Sequence, residues 1–548
     1  MLARALAEAG VEWAYTVPGE SFLGVLDELP AAGVRVVATR HEGGAAFMAE
    51  ATAQLTGRPA ACLATRAVGA ANLAIGIHTA RQNSTPIVAL VGQVQRSFRG
   101  REAFQEVDQP GTFGRLAKWS AELDDPATAA GVVGEGLSAM LSGRPGPILL
   151  SLPEDVLDLP AEDSAVVDAD RPPAPDIGAV RSALELLASA QRPLVLAGGG
   201  VLRARATPDL VQLSERLQVP VMAAWRRPDA FPHDNDLYLG MTGYGAPGTV
   251  AARALQADAL LVIGCRLNEI ASLAYRLPAD QTRWAHVDLQ PRTEGPGLRA
   301  PDIAIRADAG AFLQAALAQV DTVRAGDDAQ VEARRRDNQR DRADFLAASV
   351  VGALPWEGPG IHPGRAIETL QRVLAPDAIL TTDAGNFGLW PARGYRFTRP
   401  GTFLGPTSGA MGYGLPAAIA AAICRPGRQV LALCGDGGFA MLMGELETAV
   451  REGVQPIALV FDNRRYGTIA MHQAREGRQS VAVELGPIDF SAVARACGAQ
   501  GGRVARDSDL EPALRDALNA ERPVVLQLEV DPAWVAPDAA PETRSGRA

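Results

Sequence analysis

Asp436 and Asn463 are the side chains of this 548-residue chain whose setting most directly points to chemistry. The apolar run VLALC ends at Cys434, and Gly435-Asp436-Gly437-Gly438 follows at once. A predicted helix over 441–452 and a strand over 457–461, ending in Asp462-Asn463, complete a βαβ unit. Both polar residues then emerge at the carboxyl ends of neighbouring parallel strands, the edge at which open α/β sheets bind ligands. A carboxylate, an amide oxygen and a backbone carbonyl make half an octahedron for Mg²⁺, which shares its other positions with phosphate and water. The glycines let the backbone approach phosphate oxygens, and a helix start favours negative charge. Gly-Asp-Gly alone is a weak signal; the asparagine on the next strand makes it specific.

Glu42 is the second candidate. It closes Thr39-Arg40-His41-Glu42, between the run RVVA and a predicted helix over 44–55. Taken alone, a carboxylate there is accounted for by the helix dipole. Met411, in Thr407-Ser408-Gly409-Ala410-Met411-Gly412-Tyr413-Gly414, reads by itself as core filler.

Taken together, these stretches resemble the thiamine-diphosphate enzymes. The resemblance implies that Asp436, Asn463 and the carbonyl of Arg465 hold Mg²⁺ on the cofactor, although Asp462 stands where the family usually has Asn. Gly435, Gly437 and Gly438 are implied as its diphosphate cradle. HEGGAAFMAEATAQLTG is similar to the family segment that carries the activating glutamate, so Glu42 is implied as the catalytic acid beside N1′ of the aminopyrimidine. Such a group needs a dry site, with its pKa set by burial and the cofactor. Met411 is implied as the wedge between the two cofactor rings, and the Gly409 carbonyl as acceptor from the 4′-amino group. Asn386, in Asp383-Ala384-Gly385-Asn386-Phe387, is implied at the diphosphate, with Phe387 in place of His. Thr65-Arg66-Ala67-Val68-Gly69-Ala70-Ala71-Asn72 resembles TSGPGATN, keeping Gly69 and the cofactor-side Asn72. It puts Arg66 where Ser is usual, either as a ligand for a substrate carboxylate or as a surface residue.

The similarity runs over essentially the whole chain and points to acetolactate synthase catalytic subunits. It implies decarboxylation of a small 2-keto acid with carboligation to an acceptor carbonyl. It also implies a homodimer or homotetramer with Glu42 of one subunit facing Asp436 of another. The tryptophan expected after Asn463 in biosynthetic acetolactate synthases is absent from RRYGTIAMHQARE. A 2-keto acid decarboxylase or C–C lyase, and a catalytically inactive homologue serving as a scaffold, therefore stand as alternatives. There is no His-His pair as in pyruvate decarboxylases, and Thr65 stands where benzoylformate decarboxylases place a His. Glyoxylate carboligases lack the glutamate present here as Glu42.

Acetolactate synthases bind FAD in the central domain. Gly240, Met241 and Gly243, and Gly264 with Arg266, resemble that site, while Asn268 and Ile270 replace an Asp and an Arg. FAD retention stays open on these residues. Gly243-Tyr244-Gly245-Ala246-Pro247-Gly248 fits the dinucleotide pattern GxGxxG, but no clear apolar strand leads into it.

Positioning these groups requires strands that alternate with helices. Apolar runs predict strands over 34–38, 60–64, 87–91 and 148–152, then 193–197, 259–263 and 284–287, then 378–381, 430–434, 457–461 and 524–528. Helical segments such as 44–55 and 70–81 lie between them. The pattern is α/β, with three doubly wound parallel-sheet domains. They are a pyrimidine-binding domain over 1–160, a central domain over 177–330 and a diphosphate-binding domain over 355–531. The segment 161–176 reads as a linker, 321–344 as a solvated charged helix and 532–548 as a flexible tail.

Composition sets the outer limits. Asp plus Glu number 63 against 52 Lys plus Arg, a net charge of −11 that offers no electrostatic footprint for nucleic acid or an anionic membrane. Five cysteines without CxxC spacing exclude a zinc ribbon and fit a reducing compartment. No run approaches a transmembrane span, so a soluble cytoplasmic protein is expected. Lys118 is the single lysine, and the implied chemistry gives it no direct part; it reads as a residue near the channel or as an ordinary ion pair.

Overall fold

Unbroken apolar runs such as Ala60–Thr65, Ile87–Gln93 and Ala259–Ile263 form strands buried on both faces, as a parallel sheet between helical layers demands. In the computed structural model, which describes residues 1–161, 165–293, 295, 297, 299–323, 328–353, 355–356 and 358–538, such strands gather into three six-stranded sheets.

The first holds β1 (Trp13–Thr16), β2 (Arg35–Ala38), β3 (Ala60–Thr65), β4 (Ile87–Gln93), β5 (Trp119–Glu122) and β6 (Ile148–Pro153) in the order β2-β1-β3-β4-β6-β5. The middle one holds β7 (Pro193–Ala197), β8 (Val221–Ala223), β9 (Tyr238–Met241), β10 (Ala259–Ile263), β11 (Arg283–Asp288) and β12 (Ile303–Arg306), ordered β12-β11-β10-β7-β8-β9. The third holds β13 (Ile379–Thr382), β14 (Phe403–Leu404), β15 (Val430–Gly435), β16 (Ile457–Asp462), β17 (Gln500–Val504) and β18 (Val524–Glu529), ordered β14-β13-β15-β16-β18-β17. Every strand pair is parallel, and the first and third sheets share one connectivity.

The helices that matter for the site are α1 (Glu42–Thr56), α2 (Arg66–Asn83), α3 (Ile177–Ser189), α4 (Thr207–Leu217), α5 (Asp328–Ala348), α6 (Gly414–Cys424), α7 (Asp436–Leu442) and α8 (Glu445–Arg451). Helix α1 packs against both α2 and α6. Small residues permit this: a Cβ on Gly76 would come within 2.2 Å of the Ala46 methyl. Alanines 45, 46 and 49 share one buried cluster with alanines 417, 418 and 421 of α6. The first and third domains thus form one apolar body inside a single chain.

Three expectations change. The helix placed over 441–452 begins at Asp436 and breaks after Leu442, so Gly437 and Gly438 are helical despite the usual cost of glycine there. Side chains could not fit: a Cβ on Gly438 would lie 2.4 Å from an Asp383 carboxylate oxygen, and one on Gly437 2.5 Å from the Tyr466 ring.

The charged stretch 321–344 is not simply solvated, although 324–327 lie outside the described residues. Within α5, Arg334, Asn338 and Arg342 are buried. Arg334 donates to the carbonyls of Leu187, Ala188 and Ala190 at the C-terminal end of α3, and of Leu217 at the end of α4. Helix ends leave such carbonyls without partners, which is what draws the guanidinium inward.

The segment 532–538, expected to be flexible, packs onto the third domain. Trp534 is 2% exposed, with the rings of Trp356, His362 and Trp390 around it. Asp538 pairs with Arg393; residues 539–548 lie outside the described residues. In the expected linker, of which 162–164 are likewise outside them, Asp168 and Asp170 donate backbone N–H groups to Ser138 and Ser142. No helix among the described residues is long and apolar enough to cross a membrane.

Candidate active site

His41 caps the start of α1 by accepting from Gly43 N at 2.9 Å, and Glu42 opens the helix. The Glu42 side chain is almost buried, at 9% exposure, and accepts from Asn72 Nδ2 of α2 at 2.8 Å. Gly69, one turn before Asn72, is compelled: a Cβ there would sit 2.8 Å from the Ala64 methyl and 3.4 Å from Glu42 Oε1. Behind the loop, Glu445 accepts from the backbone N–H groups of Arg40 and His41 at 3.1 and 3.0 Å, and from Thr448 at 2.6 Å. Burial raises its carboxyl pKa. The sequence alone did not single out Glu445; its signal lies in a charged residue that opens a helix beside a buried face.

Arg66 opens α2 at φ +40°. It is not a surface residue: its side chain is 11% exposed, held by Glu20 at 3.2 Å and Glu154 at 3.3 Å, with the Phe104 ring against it.

The other predicted residues meet in the third domain. A cavity of about 230 Å³ is lined by Asn386, Gly409, Met411, Gly435, Asp436, Gly437, Gly438, Asn463 and Arg465. Tyr466 and Trp534 complete its wall and were not foreseen. Asp436 is 6% exposed and turns one oxygen onto Gly437 N at 2.8 Å. Burial raises its pKa, and so does the neighbouring Asp462 carboxylate. Asp462 is in turn fixed by Gln527 Nε2 at 2.7 Å. Asn463 accepts from Arg465 N at 3.1 Å, whereas the Arg465 side chain turns away to Glu484 at 2.9 Å. Two buried carboxylates, Asp436 and Asp462, with the Asn463 amide and a backbone carbonyl, form an oxygen-donor set whose chemistry fits Mg²⁺. Helical glycines facing the cavity fit a diphosphate. Asn386 donates to the carbonyl of Val535 at 3.1 Å, tying the 532–538 segment to the cavity. Neither Glu42 nor Asn72 lines this cavity. Within one chain the Glu42–Asn72 pair and this cavity are separate.

Two more cavities flank the central domain. One, of about 850 Å³, is lined by Arg144, Arg266, Arg292, Asn268 and Ile270, and by Gly409 at its far end. Burial lowers the pKa of both Arg144 and Arg266, and mutual repulsion among Arg81, Arg144 and their neighbours lowers it further. Lys118 joins this basic group. It donates to the Ser142 carbonyl at 2.6 Å and is pushed down to about 8 by burial and by Arg81 and Arg144. Among the described residues it forms no ion pair.

The second cavity, of about 610 Å³, holds Gly198, Gly199, Gly200, Gly264 and Asp288. Its glycines follow β7 and β10, where the strand order of the middle sheet reverses, the crevice in which doubly wound sheets take ligands. The GxGxxG stretch does follow a strand, β9, contrary to expectation. That strand is short, bulged and at the sheet edge, far in strand order from the crevice. The informative glycines are those at 198–200, directly after the apolar run PLVLA.

Comparison with known proteins agrees with this geometry. Models of the thiamine pyrophosphate enzymes match three parts of the chain: the N-terminal TPP binding domain over residues 1–112, the central domain over 180–316 and the C-terminal TPP binding domain over 383–528. The chain belongs to the thiamine-pyrophosphate-dependent enzyme family. It is 30% identical to a probable acetolactate synthase large subunit of Methanocaldococcus jannaschii, over 99% of this chain and 93% of the relative. It is 31% identical to the acetolactate synthase isozyme 2 large subunit of Escherichia coli, over 96% of this chain and 94% of the relative. The acetolactate synthase large subunit of Parasynechococcus marenigrum is 32% identical, over 96% and 86%.

Proposed function

We propose that this protein decarboxylates a small 2-keto acid and joins the remaining acyl unit to an acceptor carbonyl, in the cytoplasm, as a homodimer or a dimer of dimers. The separation of the Asn72–Glu42 pair from the diphosphate cavity within one chain carries the assembly part of this reading. A complete site needs Glu42 of one copy at the cavity of another.

Thiamine diphosphate, when bound, supplies the electron sink for decarboxylation. The chain's own residues do the rest. Asp436, Asn463 and the Arg465 carbonyl would hold Mg²⁺, with the glycines at 435, 437 and 438 and Asn386 around the diphosphate. Glu42 would be the acid that holds or releases a proton at the cofactor's aminopyrimidine end, with its carboxylate kept oriented by Asn72. Met411 and the Gly409 carbonyl, both on the cavity wall, would hold the cofactor's ring end.

A dinucleotide such as FAD is the second ligand we propose. Its support is the glycine-lined crevice at the strand reversal, continuing into a cavity whose arginines outnumber carboxylates. Its role would be structural. Reconstitution with FAD, followed by flavin absorbance after gel filtration, tests it; a flavin-free protein rejects it.

The experiment for the reaction is turnover on a panel of 2-keto acids with products identified. Acetolactate from pyruvate, or an acyloin from pyruvate plus an aldehyde, is the expected result. Free aldehyde alone moves the assignment to a decarboxylase, and failure to bind thiamine diphosphate with Mg²⁺ moves it to a scaffold.

A further inference from the structure

Helix α1 carries a second glutamate, eight residues beyond Glu42 and so about 12 Å along the axis. Glu50 is fully buried, at 0% exposure. One of its oxygens accepts from Asn83 Nδ2 at 2.8 Å and Thr85 Oγ1 at 2.7 Å; the other accepts from the Tyr413 hydroxyl at 2.6 Å. Asn83 is itself an acceptor for Thr407, from the backbone N–H at 3.1 Å and the hydroxyl at 2.6 Å. Ser408 meets Thr79 of α2 at 2.9 Å.

These bonds tie both ends of the loop 407–413 to the first domain of the same chain. Between the ties lie Gly409 and Met411, which line the diphosphate cavity. Within the loop, Gly409 sits at φ +71° with its N–H on the Pro406 carbonyl at 3.2 Å, and the Ala410 carbonyl accepts from Ala384 N at 3.4 Å. A buried carboxylate bonded this fully sets a single geometry, because loss of one partner leaves a charge unpaired in a dry place.

We propose that Glu50 is a positioning residue for the cofactor site built on its own chain, while Glu42 on the same helix serves the site of a second copy. Helix α1 then joins the two sites of a dimer as one rigid strut. The inference rests on the dimer reading given above.

Heterodimers purified through two different tags test it. In the first, one chain carries Glu42→Gln and the other Glu50→Gln. Its surviving site combines an intact Glu42 with an intact 407–413 loop. In the second, one chain carries both substitutions and the other is wild type, so the surviving site has a loosened loop. The two dimers have the same composition and differ only in distribution. We expect the first to turn over at least about tenfold faster, or to need about tenfold less thiamine diphosphate for half activation, as loss of a buried charge-assisted bond implies.

Equal activity would reduce Glu50 to general stability, and faster turnover of the second dimer would mean that Glu50 acts on its own Glu42. Either overturns the proposal. Tyr413→Phe, which removes only the hydroxyl, replaces Glu50→Gln in the same design if the glutamine variant does not fold. Mixing Glu42→Gln chains with Asp436→Asn chains is the control. Restored activity supports shared sites; none means that the dimer reading itself fails, and the proposal with it.

Discussion

Asn72 donates its side-chain amide to Glu42 across the α1–α2 contact at 2.8 Å. Both residues sit on helices locked together by glycine–alanine contacts, so the carboxylate is aimed before any cofactor arrives. Pre-aimed groups lose no orientation in the reaction itself.

Glu42→Gln should leave thiamine diphosphate binding nearly intact and lower turnover by about 10²–10⁴-fold, the range for loss of a general acid–base group. Asn72→Ala should lower turnover by about tenfold, since one hydrogen bond to a charged group is removed. Fluorescence titration of the cofactor beside steady-state rates separates binding from chemistry. Unchanged turnover in Glu42→Gln would sink the mechanism.

Asp436→Asn should raise the Mg²⁺ and thiamine diphosphate concentrations for half activation by at least about tenfold, because a charged ligand becomes neutral. Arg465→Ala should change them by less than about threefold, since the Arg465 side chain is engaged by Glu484 and the substitution leaves its carbonyl in place. Activation curves at fixed substrate distinguish the two.

Asp229 gives a pH signature. It is buried in the central domain, accepts from Thr402 N at 3.0 Å, and is pushed up to about 6 by desolvation. Its folded pKa lies above its unfolded value, so the folded state holds the proton more tightly. Its stabilising contribution is complete below about pH 4 and is lost as pH rises to about 6, a swing of up to about 3 kcal/mol. Asp229→Asn should remove that share of the slope, read from urea unfolding at pH 4.5 and 7.5. An unchanged difference between the two pH values contradicts it.

Arg334→Met should cost about 2–4 kcal/mol, because four carbonyls at two helix ends lose their donor. Arg336→Met, on the exposed face of α5 with a distant Glu332 partner at 3.9 Å, should stay within about 0.5 kcal/mol. Thermal melts of the two variants side by side make the check.

Trp534→Ala should destabilise the third domain by about 3–5 kcal/mol, as for a large core aromatic. A chain stopped after residue 531 should also bind thiamine diphosphate more weakly, since Trp534 walls the cavity and Val535 holds Asn386. Full cofactor affinity in the shortened chain would return the segment to the role of a free tail.

Strands with continuous apolar runs, such as β7 and β10, were legible to the residue. Seven were missed, all short or half-polar: β1, β5, β8, β9, β12, β14 and β17, five of them at sheet edges, which ask little of the sequence. That Gly435, Asp436, Gly437, Gly438 and Asn463 share one cavity was legible, because they follow two apolar runs that pair as neighbouring strands. Glu445, Glu50 and Arg334 were not. Their meaning lies in partners hundreds or dozens of positions away, which local spacing does not encode. Trp534 was hidden for a different reason: one aromatic in a proline-rich end gives no periodicity.

The first and third sheets thread their strands identically, and α1 and α6 occupy the same place in that thread, each following the second strand of its sheet. These equivalent helices are the ones that pack face to face. Two copies of one small protein meeting through a shared helix would make this contact if a tether later joined them, with the central domain spliced into the tether. The chain therefore brings two identically threaded domains together through equivalent helices, the geometry of a two-fold dimer contact held within one polypeptide.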